Sequence, residues 1–386
     1  MGGVKKMWME AEQLGIGCSI DKCVCAEHID DYAIKHFIRG IAKDGVCDYC
    51  NEETPVIPVD DLMVLIMEGV NRVFKDAAEF MPFDSHEGGY QGETYSDEFM
   101  TDVIGLEIDN SQLQTDIESC ISDKAWAKDY WDDYAAMLKT AWAGLKYIIK
   151  HKSRYMFSRT VQFKNDETGR PAYDILNQIG DIVRKYKLYS KLSAGVSLYR
   201  CRQHETSVIL SKATDLASPP FEKAILPNRM SPAGIPMFYG AFDLDTAKSE
   251  TVEPSDKSKG RVTSAVFKPK KDLDIIDFTR LPDLPSIFDA EKFKDYHPIE
   301  FLRGFVKDLS EAISRDGKEH IEYVPTQVMT EYFRFTFAEE QGLPIDGIVY
   351  PSSRIKGKNA CVLFFDNRQS LDRLNFIAAS VLTENV

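Results

Sequence analysis

Met237-Phe238-Tyr239-Gly240-Ala241-Phe242-Asp243-Leu244-Asp245-Thr246-Ala247-Lys248-Ser249-Glu250 reads as a strand, a turn and a helical turn that ends on a carboxylate. A strand passing so quickly into a helix implies short elements of both kinds side by side. With 237–242 as one strand, further strand-sized runs lie at 197–202, 263–267, 273–277, 346–350 and 361–365. Helices are expected over 172–189, 298–314 and 325–341. Long loops join these pieces, so this half of the chain is read as an α+β domain with a central sheet.

Toward the N-terminus the pattern changes. Leu62, Leu65, Ile66, Val70, Val73 and Phe74 form an apolar stripe at helical spacing, broken by Pro82 and Gly88-Gly89. A second helix is expected over 97–121. A third opens at Ser122-Asp123 and runs through Trp126, Tyr130, Tyr134, Leu138, Ala141, Trp142 and Leu145 to residue 152. Asn165, Asp166, Gly169 and Pro171 mark a linker. The expected organisation is a cysteine-bearing segment 1–55, a mostly helical domain 56–165 and an α+β domain 166–386.

The 386 residues carry a formal net charge of −14, and 22 Phe, 17 Tyr and 4 Trp exclude a chain too polar to collapse. No apolar run approaches the roughly 20 residues that cross a bilayer. Lys5 and Lys6 are followed by Trp8, Glu10 and Glu12 where a signal peptide needs an apolar core, so a cytoplasmic location is expected. Charge is uneven. Residues 1–150 hold 13 Lys and Arg against 29 Asp and Glu, and residues 151–386 hold 34 against 32. An acidic first half repels phosphate backbones and anionic lipid, so neither nucleic acid nor a membrane is an expected partner.

Five of the eight cysteines lie in the first fifty residues: Cys18, Cys23, Cys25, Cys47 and Cys50. In a cytosolic chain such a cluster points to a metal rather than to disulfides. Cys25-x2-His28 and Cys47-x2-Cys50 form two knuckles, separated by Ile34, Phe37, Ile38 and Ile41 at helical spacing. Four soft N and S ligands suit tetrahedral zinc in a structural role, with Cys18 and Cys23 as competitors for the position of His28.

The polar residues of the second half suit an anionic dinucleotide. Ser197-Leu198-Tyr199-Arg200-Cys201-Arg202 is a strand ending in two arginines, and Arg229-Met230-Ser231-Pro232-Ala233-Gly234 is a loop headed by another. Gly347-Ile348-Val349-Tyr350-Pro351-Ser352-Ser353 is a strand ending in a hydroxyl pair, with Asn359 shortly after. Arginine forks match phosphate oxygens, a tyrosine face stacks on a ring, and hydroxyls bind ribose. A single carboxylate such as Glu250 is suited to an oxocarbenium-like centre as a glycosidic bond opens.

The order Tyr199-Arg200, Arg229-Met-Ser-Pro-x-Gly, Phe238-Tyr239, Asp245-Thr246-Ala-x-x-Glu250 and Val349-Tyr350-Pro351-Ser352 resembles the RES domain, named for its Arg, Glu and Ser. The resemblance covers roughly residues 170–370. Ile321-Glu322-Tyr323-Val324-Pro325-Thr326-Gln327-x-x-x-Glu331-Tyr332 looks like a segment of longer RES proteins. Residues 20–160 are similar to the cysteine-bearing HEPN/RES N-terminal module. The resemblance implies a fold like that of ADP-ribosyltransferase toxins and an enzyme that consumes NAD by cleaving its nicotinamide–ribose bond. Water, phosphate or a protein side chain would be the acceptor. Carried over, Arg200 and Arg229 would bind the diphosphate or neighbouring groups, Tyr239 would stack beside nicotinamide, Glu250 would stabilise the ribosyl cation, and Ser352 would bind and orient the ribose side. Arg202, Ser353 and Asn359 are the neighbouring candidates for NAD binding. Met230 follows the arginine where many members place an aromatic. A toxin or phage-defence role is implied, restrained by an antitoxin or other regulatory protein on the acidic half, or by homo-oligomerisation.

Two other readings compete. Arg315-Asp316-x3-His320 fits the Arg-polar-x3-His pattern of HEPN ribonucleases, although Gly317 disfavours the single helix that pairing needs. The chain also reads as a zinc-stabilised scaffold without catalysis.

Overall fold

The strand-forming runs between residues 189 and 385 assemble into one eight-stranded sheet. In chain order these are β1 (Tyr189–Leu192), β2 (Leu198–His204), β3 (Phe238–Ala241), β4 (Arg261–Pro269), β5 (Leu273–Asp277), β6 (Gly347–Pro351), β7 (Asn359–Leu363) and β8 (Leu374–Asn385). Their spatial order is β8-β4-β2-β3-β7-β6-β5-β1. Every pairing is antiparallel except β5 with β6, which runs parallel with Ile275 opposite Gly347. A parallel pair needs a long crossover, here the helical chain between residues 277 and 347. The fold is therefore α+β.

This computed structural model describes residues 2–86, 88–128, 133–158, 171–253, 256, 258–311 and 317–386. The chain divides into two compact units: residues 1–137 with 283–300, and residues 138–282 with 301–386. No helix among the described residues is long and apolar enough to cross a membrane.

In the second unit Phe238, Phe267, Leu363 and Phe365 fill the sheet's core, and Phe238 meets Phe267 edge to face at 5.1 Å. Phe278 contacts Phe305 and Phe333 at 5.9 and 5.7 Å. One buried charge is fully answered. Asp346 accepts from Arg373 Nη1 at 2.6 Å and from the Asp274 N–H at 3.0 Å, while Arg373 lies 4.5 Å over Phe365.

Two strands, β1 and β8, are missing from the sequence reading. In β8 the β-formers Phe376-Ile377 and Val381 to Thr383 are split by Ala378-Ala379-Ser380, and pairing with β4 from Leu374 to Asn385 joins them into one strand. A bulge between Ser264 and Val266 is closed by Ser380, whose hydroxyl accepts the Val266 N–H at 2.8 Å. The helix expected over 172–189 covers Asp174–Lys185 and stops before Lys187, which takes φ +52°. The helix expected over 325–341 is present but changes pitch, with a π-helical turn at Tyr332–Phe337.

The first unit is built on the expected stripe: the helix Val59–Val73 buries Leu62, Leu65, Ile66 and Val70. Phe288, from the inserted segment 283–300, packs so close to Gly69 that a Cβ there would lie 2.3 Å from its ring. Between the knuckles the helix Tyr32–Ile41 is capped by Asp31, which accepts from Ala33 and Ile34. Two helical expectations are corrected. The stretch 97–121 is two helices, Met100–Val103 and Ser111–Cys120, parted at Gly105, whose φ is +67°, and restarted by the cap of Asn110. Trp126 does not belong to the third helix. It sits in a strand, Trp126–Lys128, paired with Phe74–Asp76 and exchanging backbone hydrogen bonds with Tyr95. That helix begins at Tyr134 and ends at His151; Tyr130 lies outside the described residues, as do linker residues Asn165, Asp166 and Gly169.

Gly347 opens β6 with the Val362 carbonyl 2.4 Å from where a Cβ would stand. Gly347→Ala is expected to cost about 1–3 kcal/mol in chemical denaturation, because that carbonyl belongs to a paired strand and has no room to retreat. An unchanged midpoint would show that the sheet yields there.

Candidate functional site

The four neighbouring strands β2, β3, β7 and β6 bring the predicted residues to one region of the sheet. Ala241 faces Tyr199, Gly240 faces Cys361 and Tyr350 faces Ala360. β3 then turns into the helix Leu244–Thr251, whose first turn is capped by Asp243: its carboxylate accepts from the Thr246 N–H and hydroxyl, each at 2.9 Å. That helix delivers Glu250 beside the end of β6.

Tyr239 is fixed at two points. Its carbonyl accepts from Arg200 Nη1 at 2.6 Å, and its hydroxyl lies 2.9 Å from Ser231 Oγ and accepts the Met230 N–H at 3.3 Å. Burial raises the Tyr239 phenol to about 12, so it stays protonated. Burial, and then the neighbouring Arg202, draw Arg200 down to about 10, which leaves it cationic at neutral pH. Its guanidinium lies 4.8 Å over Phe238. Arg229 donates to the Leu309 carbonyl at 2.8 Å. Each guanidinium thus uses one donor on the backbone and keeps others for an anion.

Ser352, 8% exposed, is turned toward the carboxylate. Its hydroxyl donates to Glu250 Oε1 at 2.5 Å and accepts the N–H groups of Arg354 and Ile355 at 3.1 and 3.3 Å. With its one proton committed to Glu250, Ser352 holds the acid's rotamer. Burial, followed by the nearby Glu250 charge, pushes the Tyr350 phenol well above its ordinary range.

A cavity of about 550 Å³ has Arg200, Arg202, Arg229, Tyr239, Glu250 and Tyr350 on its wall, a volume suited to a large ligand. Ser352, Ser353 and Asn359 are not on it: Ser352 reaches it through Glu250, Ser353 is exposed, and Asn359 is half-buried in β7. Arg202 is exposed at the rim and donates to the Asp215 carbonyl at 2.8 Å. The wall adds residues that sequence reading left without a role, among them Tyr323, Asn228, Lys223 and Arg354. Only Tyr323 had a signal, in its own motif.

Residues 197–378 match the family model of the RES domain, and residues 41–163 match that of HEPN/RES N-terminal domain 1. The chain is a RES-domain protein. No curated protein matches it. RES domains are a family associated with NAD-related toxin activity. The cavity and its arginines, tyrosines and Glu250 all fall inside the RES match.

The cysteine cluster lies in the first unit. Cys25, His28, Cys47 and Cys50 bring their ligand atoms within 4.8 Å of one another, a set able to hold a metal ion. His28 Nδ1 is 2.8 Å from Asp109 Oδ1, while Nε2 is buried with no hydrogen-bond partner among the described residues. An orphaned imidazole nitrogen beside three sulfurs fits a ligand position, and the carboxylate on the other nitrogen fits the usual orienting partner. Neither competitor is among the four: Cys18 lies against Cys120, to which it is disulfide-bonded in the structure, and Cys23 is a free thiol. Of the ribonuclease pair, Arg315 lies outside the described residues, and His320 sits in the helix Glu319–Glu322 after Gly317, whose φ is +86°.

Tyr239→Phe removes the acceptor of a buried N–H and is expected to cost about 1–2 kcal/mol by chemical denaturation. Equal stability would mean that the 230–231 loop needs no anchor at the phenol.

Proposed function

We propose that the RES domain binds NAD in this cavity and cleaves its nicotinamide–ribose bond, in a fold like that of ADP-ribosyltransferases. The observation that carries the reading is Glu250, held by Ser352 on a wall shared with two arginines whose guanidinium groups keep donors for an anion. Arg200 and Arg229 take the diphosphate by charge-assisted hydrogen bonds. Tyr239 lies beside the nicotinamide. As the C1′–N bond breaks, its electron pair leaves with neutral nicotinamide. Positive charge grows on the ribose, and the Glu250 carboxylate stabilises it while holding a ribose hydroxyl. Water, phosphate or a protein side chain then bonds to C1′ and releases its proton to solvent.

In the wider reading the protein is a toxin or phage-defence effector of the cytoplasm, where Cys18 and Cys120 would be held as thiols. An antitoxin or regulatory protein on the acidic half, or homo-oligomerisation, restrains it. Zinc is the metal proposed for Cys25, His28, Cys47 and Cys50, in a structural role: four protein ligands leave no open coordination position. The orphaned Nε2 supports it.

Purified protein is expected to release nicotinamide from NAD. Glu250→Gln keeps an oxygen for Ser352 yet should lose about 10²–10³-fold in kcat, the scale of removing one charge-stabilising group. Added phosphate separates phosphorolysis from hydrolysis by its products. Activity equal in wild type and Glu250→Gln would reject this mechanism, and loss of NAD in neither, with partner binding intact in both, would favour the scaffold. For the metal, elemental analysis should find one zinc per chain, lost in Cys47→Ser; wild type without metal would reject the site.

A further inference from the structure

The stretch Tyr323–Gln327 stands out in the sequence with no role attached, and the structure gives it one. The turn Asn228–Ser231 is closed by its own backbone, with the Asn228 N–H on the Ser231 carbonyl at 2.8 Å and the Ser231 N–H on the Asn228 carbonyl at 3.3 Å, and each carbonyl keeps a second lone pair for a further donor. Gln327, buried in the first turn of the helix Val324–Glu331, is that donor to both: Nε2 donates to the Asn228 carbonyl at 2.9 Å and the Ser231 carbonyl at 3.3 Å, clamping the two ends of the turn together. Thr326 Oγ1 lies against the carbonyls of Arg229 and Tyr323. The turn so held carries Arg229, and its Met230 N–H and Ser231 hydroxyl hold the phenol of Tyr239, whose carbonyl holds Arg200. One hydrogen-bonded step therefore links Gln327 to the turn that carries Arg229, and three link it to Arg200. Tyr323, which starts the same helix, has its side chain on the cavity wall.

We propose that Tyr323–Gln327 is a working part of the dinucleotide site: Tyr323 contacts the bound dinucleotide, and Thr326 and Gln327 are positioning residues for Arg229 and Tyr239. The proposal rests on the NAD reading for its ligand, while the bracing of the turn does not.

Gln327→Leu keeps the bulk of the side chain and removes both donors. It should remain folded by near-ultraviolet circular dichroism, speed amide hydrogen exchange at 228–239, and lower kcat/KM for NAD at least 10-fold. Because it acts through Tyr239, the double variant Gln327→Leu/Tyr239→Phe should lose far less than the product of the two single losses. Tyr323→Ala should raise KM about 10-fold with kcat little changed, whereas Tyr323→Phe, which keeps the ring, should restore most of the binding. Unchanged exchange at 228–239 in Gln327→Leu overturns the brace even if the protein proves inactive on NAD. Full kcat/KM in Gln327→Leu, or losses that multiply in the double variant, overturns the positioning role. An unchanged KM in Tyr323→Ala overturns the contact.

Discussion

Tyr239 is gripped at its carbonyl by a half-buried guanidinium and at its phenol by a turn, and the geometry of the site follows from that double hold. A side chain with two torsions, fixed at both ends, has nowhere to relax. It sets the distance from the centre of the sheet, where Arg200 sits, to the loop where Arg229 sits. Charges placed in this way do not need to reorganise when an anion arrives, which is where electrostatic catalysis draws its strength. The acid is held by equally local means. A serine at the end of a strand donates to it, and two backbone N–H groups keep that serine from turning away.

The fold was legible where side-chain rhythm alone decides the backbone. Six of the sheet strands alternate or form compact apolar runs, and each lies where its residues place it to within a few positions. Reading failed where a distant partner decides. Trp126 follows a sound N-cap signal and sits in helix-like spacing, yet backbone pairing with Tyr95 and Phe74–Asp76 makes it a strand. β8 has its β-formers split by Ala378-Ala379-Ser380, and pairing along β4 makes them one strand. Cys18 reads as a zinc competitor because nothing local points to Cys120, 102 residues on.

The candidate site shows the same division. Residue type suggested an anionic ligand, and the resemblance of the motif order to the RES domain singled out Arg200, Arg229, Tyr239 and Glu250, which meet around one cavity. What sequence could not supply was direction. Ser352 has the residue type of a ligand contact, but its proton is taken by Glu250, and Asn359 is held in β7 away from the wall. Gln327 and Asp109 are ordinary polar residues in the sequence. Each matters because of the groups that its side chain meets, a turn's paired carbonyls for Gln327 and an imidazole nitrogen for Asp109, and those meetings are visible only once the backbone is closed.

The segment 283–300 leaves the second unit from within the crossover between the two parallel strands and packs its apolar Ile287 and Phe288 into the core of the first. The compact units are therefore discontinuous along the chain. A gene fragment encoding only residues 166–386 would retain this segment while discarding the residues that bury it, leaving two large apolar side chains in water and a sticky loop on an otherwise intact sheet. The chain thus crosses between the two units more than once, and the core of the first is completed by a segment that the sequence places inside the second.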